Sequence, residues 1–295
     1  MEKHRVILDT DIGDDVDDAY ALALLLCSPE IELEAVTVNI GKVTAKASIA
    51  RRMLDIAGMQ RIPVYVGLAG ADPYKQGNQA AWAQNYQSDA VIGDDGVGEL
   101  VRRVTASPSE ITLIAIGPLT NLGAALEEDP DFGRKLKELI IMGGSIVHGY
   151  EYGERSAEYN IAHDTPASKE VFACGANLTV APLDATNRQQ VTARRMAQLA
   201  AAHNPICDAL IELSALYERD FPTLHDPRAC TVLLHEELAT GPDMRLEVSD
   251  EGFTDLVPGV PNCKVIVEPK IDLFFQLLWE RYLSFSNNKP AASKP

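Results

Sequence analysis

The sequence predicts an α/β fold, an open and mostly parallel β-sheet flanked by helices, on three observations. Short apolar runs alternate with helix-length amphipathic stretches, several of those runs are apolar almost without a break, and no internal repeat interrupts the alternation. A strand that is apolar throughout must be covered on both faces, which calls for helices above and below a parallel sheet.

Val6-Ile7-Leu8 is the first strand, followed by a helix that runs through Leu26. Leu33 to Ile40 is the second, ahead of a helix through Ala57. Val64-Tyr65-Val66 comes next, then Ile111 to Ile116 with a helix over Leu119 to Leu126, then Leu139-Ile140-Ile141-Met142 and Leu178 to Ala181. From Met196 to Leu216 the chain is helical and Ala-rich, and Cys230 to Leu238 reads as a further helix. Arg245 to Val248 and Lys264 to Val267 read as a peripheral strand pair, and Ile271 to Leu283 as the closing helix. Two polar stretches, Gly67 to Gly98 and Ser145 to Ser156, have the length of lids or binding loops. One domain over residues 1–285 is expected, with a disordered tail at 286–295.

Hydrophobic residues make up 46% of the 295, enough for one sizeable core. The formal net charge of −17 repels nucleic acid and anionic membrane surfaces, so neither is expected as a partner. The longest apolar run, Ala19 to Cys27, is about half of the roughly 20 residues that span a bilayer. Five widely spaced cysteines without a C-x-x-C pair read as reduced thiols. The N-terminus enters a strand without the apolar segment of a secretory signal, and a cytoplasmic location is expected.

Six aspartates fall within Asp9-Thr10-Asp11-Ile12-Gly13-Asp14-Asp15-Val16-Asp17-Asp18. In an open parallel sheet ligands bind where the strands end, and this cluster sits at such an end. Asp9 and Asp11 are two apart and share a strand face, Gly13 permits a tight turn, and Asp17 and Asp18 fall in the first turn of the next helix. One or two acids would suffice to cap that helix and complement its dipole. Six instead fit a hard cation, which takes six to eight oxygen ligands. An EF-hand does not match, because the glycine is fifth in the run and a strand precedes it. Three further signals are Gly117-Pro118-Leu119-Thr120-Asn121, whose bend exposes the carbonyl of Ile116, then Glu158-Tyr159-Asn160, and His225-Asp226-Pro227 ahead of a helix.

Together and in this order, the four motifs resemble the inosine-uridine nucleoside hydrolase family, from Asp9 to about His235. The resemblance implies a Rossmann-like nucleoside hydrolase fold, a ribonucleoside as substrate, Ca²⁺ as cofactor and a homodimer or homotetramer. It assigns the metal to Asp11, Asp18, the carbonyl of Ile116 and Asp226. It assigns ribose contacts to Asp17, Met142, Glu158, Asn160 and Asp226. The pairing of Asp17-Asp18 with the family's Asp-Asp assumes a loop two residues longer here. Departures are Lys42 where the family has Asn and Ile92 where it has His; Asn39 is the candidate to supply the missing amide to substrate.

Cleaving an N-ribosidic bond passes through an oxocarbenium-like transition state. It needs anionic groups near the sugar, an activated water and help for the departing base. On this reading calcium lowers the pKa of a water, Asp11 accepts its proton, and His225 protonates the base. Two other readings compete. A haloacid dehalogenase-type Mg-dependent phosphatase also opens on strand-Asp-x-Asp, and a non-catalytic calcium and ribose binding protein would use the same carboxylates.

Overall fold

The computed structural model describes residues 3–217 and 221–286. The expected tail lies outside the described residues apart from Ser286. The strands are β1 (His4–Thr10), β2 (Ile31–Val38), β3 (Val64–Val66), β4 (Ile92–Gly93), β5 (Ile111–Ala115), β6 (Glu138–Met142), β7 (Leu178–Ala181), β8 (Asp243–Met244), β9 (Leu246–Val248), β10 (Thr254–Leu256) and β11 (Cys263–Val265). Nine of them form one sheet in the order β4-β3-β2-β1-β5-β6-β7-β11-β8, parallel except for β8 at one edge.

Strand alternation divides the interior. Val6 and Leu8 of β1 join one apolar core while Ile7 joins the other, and β6 does the same with Ile140 against Leu139 and Ile141. Both faces of the sheet are therefore dry, which accounts for the unbroken apolar runs. Helix α1 (Asp17–Leu26) is buried at every position, enclosed by helices Pro205–Ser214 and Ile271–Leu283. The longest apolar run in the sequence is thus a core helix. No helix among the described residues is long and apolar enough to cross a membrane.

The chain winds from β1 out to β4, then returns to β5 on the other side of β1. The β1–β5 boundary is where strand order reverses, and the loops leaving the two strands diverge there to leave a crevice. Asp11 follows β1 and Ile116 follows β5, so both motifs open onto that crevice.

Two expectations need correction and two gain detail. Leu246–Val248 and Cys263–Val265 do not pair with each other. The first forms a hairpin with β10 through a turn at Gly252 (φ 81°), and the second extends the main sheet beside β7, burying Cys263 and Val265. The stretch 230–238 is not one helix. A helix spans Asp226–Cys230, where Thr231 Oγ1 donates back to the Arg228 carbonyl at 2.7 Å, and two 3₁₀ turns follow. The Ala-rich stretch is two helices, Ala193–Ala202 and Pro205–Ser214, parted by His203 in a left-handed conformation and by Asn204, whose side chain caps the second. The polar stretch 67–98 also holds structure of its own, a short helix at Ala80–Ala83 and edge strand β4.

Candidate active site

At the crevice lies a cavity of about 280 Å³. Its wall includes Asp11, Asp17, Asp18, Ile116, Met142, Glu158, Asn160, His225 and Asp226, all but one of the residues expected to have a catalytic, metal or substrate role. They arrive from five places: the β1–α1 loop with the start of α1, the end of β5, the end of β6, the 158–160 stretch that opens the helix Tyr159–His163, and His225 with the start of the helix Asp226–Cys230.

Asp17, Asp18 and Asp226 each offer a carboxylate oxygen within 4.8 Å of one another while only 3%, 2% and 4% exposed. Asp17 Oδ2 accepts the backbone N–H groups of His225 (2.9 Å) and Asp226 (3.1 Å), which locks the His-Asp motif onto the start of α1. Thr10 Oγ1 donates to Asp18. Burial raises the pKa of Asp17, Asp18 and Asp226, and the neighbouring carboxylates raise all three further. Asp11 is pushed up to about 6, chiefly by burial, with Lys46 pulling the other way. Buried carboxylates packed this closely are costly without a cation between them, and an all-oxygen donor set suits a hard divalent ion. The residues present therefore fit a metal.

Opposite them, Glu158 caps the short helix Tyr159–His163 and accepts from Asn160 N (3.0 Å), Gly144 N (3.0 Å) and Ile161 N (3.2 Å). Burial nevertheless takes its carboxyl up to about 7. The amide nitrogen of Asn160 bridges the carbonyls of Ile116 (2.9 Å) and Met142 (3.1 Å), so Ile116 O has one lone pair engaged and a second to offer. His225 Nδ1 meets Thr186 Oγ1 at 2.8 Å, fixing the ring at the cavity wall with Tyr150 edge-on at 6.5 Å.

Asn39 is the exception. It does not line the cavity; its Nδ2 donates to Asp9 Oδ2 and to the Pro118 carbonyl, each at 2.8 Å, one layer behind the wall. The expected direct substrate contact is not what the structure places here; Asn39 instead supports Asp9 and the Pro118 carbonyl. Nor do Ile92, on edge strand β4, or Lys42, exposed ahead of the second helix, line this cavity.

Sequence reasoning missed Lys46 and the aromatic rim of Tyr150, Tyr159 and Tyr217. Lys46 carried a readable signal, because it falls in register with Ile49, Ala50 and Met53 on the apolar face of its helix. Tyr150 begins a 3₁₀ turn, Tyr159 a five-residue helix, and Tyr217 follows the helix Pro205–Ser214, so none lies in an element long enough for periodicity to show it.

Asp9 decides against a phosphatase. It is fully buried, and its carboxylate accepts from Thr37 Oγ1 (2.5 Å), Asn121 Nδ2 (2.7 Å) and Asn39 Nδ2 (2.8 Å), so the first aspartate of the motif has no path to a phosphorus atom.

A family model described as inosine-uridine preferring nucleoside hydrolase matches residues 6–276. The pyrimidine-specific ribonucleoside hydrolase RihA of Enterobacter sp. (strain 638) is 30% identical over 315 residues, covering 95% of this chain and 98% of its own length. A plant nucleoside hydrolase, PpNRh1, superposes with a TM-score of 0.85 at 28% identity over 95% of this chain and 99% of its own. A purine-preferring ribonucleoside hydrolase from Gardnerella vaginalis shares the fold with a TM-score of 0.84 at 24% identity, over 95% of this chain and 98% of its own.

Proposed function

This chain belongs to the inosine-uridine preferring nucleoside hydrolase family, and from that premise we propose how its cavity carries out the reaction. The enzyme hydrolyses the N-glycosidic bond of ribonucleosides, releasing ribose and free base. The observation that carries the assignment of roles is the meeting of the carboxylates with His225 in one cavity at the β1–β5 switch.

Asp11, Asp18, Asp226 and the carbonyl of Ile116 would hold Ca²⁺, which would supply Lewis acidity at this end of the cavity. Asp11, which lines the cavity beside these carboxylates, is the proton acceptor. Asp17 and Asp226 receive the 2′- and 3′-hydroxyls. Asn160, Glu158 and the carbonyl of Met142 fix the rest of the ribose, and the negative charge of Asp11 and Asp17 favours the cationic sugar as the bond breaks. His225, steadied by Thr186, protonates the departing base. A homodimer or homotetramer in the cytoplasm, serving nucleoside salvage, completes the proposal; five free cysteines support a reducing compartment.

The test is a screen of purine and pyrimidine ribonucleosides for reducing-sugar release, with their 2′-deoxy counterparts, with and without a calcium chelator. Ribonucleosides are expected to react, the deoxy compounds to be poorer by about 10³-fold or more because a missing hydroxyl strands buried polar groups, and chelation to abolish turnover. Equal kcat/KM for uridine and deoxyuridine would sink the ribose assignment; activity indifferent to chelation would sink the metal.

A further inference from the structure

We propose that Lys46 is a positioning residue, an internal ammonium strut that fixes the backbone of the aspartate loop and so holds Asp11 ready for metal. The inference rests on the reading of Asp11 as a metal ligand. Lys46 lies near the start of the helix Val43–Ile56, on its core face, and is only 2% exposed. A buried ammonium is costly unless it is compensated, and here its hydrogen bond and both of its ion pairs fall on one loop. Its Nζ donates to the main-chain carbonyl of Asp11, lies 2.9 Å from Asp14 Oδ2 and stands 3.9 Å from Asp11 Oδ2. One cation thus ties both ends of Asp11-Ile12-Gly13-Asp14.

The loop needs such a tie. Gly13 is at φ 109°, a conformation other residues rarely adopt, and the ideal Cβ position on Gly13 would fall 2.8 Å from Ile49 Cδ1 and 3.9 Å from Lys46 Cγ, so the turn is seated directly on this helix. Gly13 O accepts from Gln79 N at 3.1 Å, and Lys75 reaches the same Asp14 oxygen at 3.9 Å from an exposed position. Among the described residues, Lys46 is the side chain that grips the Asp11 carbonyl. A lysine repelling a nearby cation would weaken metal binding, whereas one that sets the ligand's geometry strengthens it, so the sign of the effect separates the two.

Calcium affinity of the wild type, Lys46→Met and Lys46→Gln is measured by titration calorimetry, with melting temperatures taken in chelator and kcat and KM at saturating calcium. Loss of an outer support of a metal ligand typically costs 10- to 100-fold in affinity. Lys46→Met is expected to bind calcium about 10- to 100-fold more weakly, with Lys46→Gln, which keeps a donor for the carbonyl, between it and the wild type. The loss is expected in kcat rather than in KM for nucleoside. Unchanged or tighter calcium binding by the variants overturns the strut, as does a drop in melting temperature with affinity intact. If Lys46→Met does not fold, the Gln variant decides by the same criteria. A wild type that binds no calcium instead overturns the metal assignment itself, a result that the wild-type titration alone reveals.

Discussion

Single residues divide into those whose partners are close in sequence and those whose partners are remote. The aspartate cluster was legible because Asp11, Asp17 and Asp18 come from one loop and the first turn of the helix it enters, and His225-Asp226 because two adjacent residues carry its chemistry. The partners of Lys46 and Asn39 were not, since each answers to atoms in other segments: Lys46 to Asp11 and Asp14, Asn39 to Asp9 and Pro118. His225 gives the clearest test at this scale. With Nδ1 held by Thr186, its ring lines the cavity, and the proposal gives it the leaving base. His225→Ala should lower kcat on uridine or inosine by roughly 10² to 10⁴-fold, the usual worth of general-acid help, yet spare p-nitrophenyl riboside, whose phenolate departs without a proton. An equal loss on both substrates in calcium-saturated enzyme would remove His225 from the chemistry and leave it a packing role beside Asp226.

Elements were legible where apolar periodicity is strong and lost where a pairing choice decides. β1, β2, β5, β6 and β7 follow from their apolar runs, but nothing in Leu246–Val248 announces that its neighbour is Thr254–Leu256 rather than Cys263–Val265. The loop 145–156 was legible only as long and polar. Its anchor is Asp184, just past β7, whose carboxylate accepts three successive amides, Ile146 (2.9 Å), Val147 (2.9 Å) and His148 (3.1 Å). Asn187 adds a bond to the Gly149 carbonyl at 2.8 Å. The loop then delivers Tyr150 and Glu151 to the cavity, with Glu151 and Tyr152 both at positive φ, a strained arrangement that persists only while its ends are held. Asp184→Asn removes the charge and one of the acceptor sites that gather the three amides. KM for nucleosides is expected to rise about tenfold with a smaller change in kcat, and limited proteolysis to begin within 145–156. An unchanged KM together with an unchanged digestion pattern would show that the loop holds its shape without the anchor.

The whole molecule carries a net charge of −17 and concentrates buried carboxyls at one crevice, so its stability should depend on pH and on calcium in a linked way. Burial lifts Asp11 to about 6 and Asp9 and Glu158 to about 7, and raises Asp17, Asp18 and Asp226 as well, whereas in the unfolded chain carboxyls titrate near 4. Between roughly pH 4 and 7 the folded state therefore keeps protons that the unfolded state has released. Stability from these groups is fully present below the unfolded values and lost as pH rises through the folded ones. Metal-free protein is expected to melt on the order of 5 °C or more lower at about pH 8 than at about pH 5. Because ligands must be deprotonated to bind, calcium should raise the melting temperature more at the higher pH. Surface repulsion among the acidic side chains acts in the same direction, but salt screens exposed charges and hardly touches buried ones. Repeating the chelated melts at about 0.5 M salt, where the Debye length is only a few ångströms, separates the two sources. A pH dependence that survives the salt belongs to the crevice; one that vanishes assigns the effect to the surface and leaves the buried carboxyls without a share in stability.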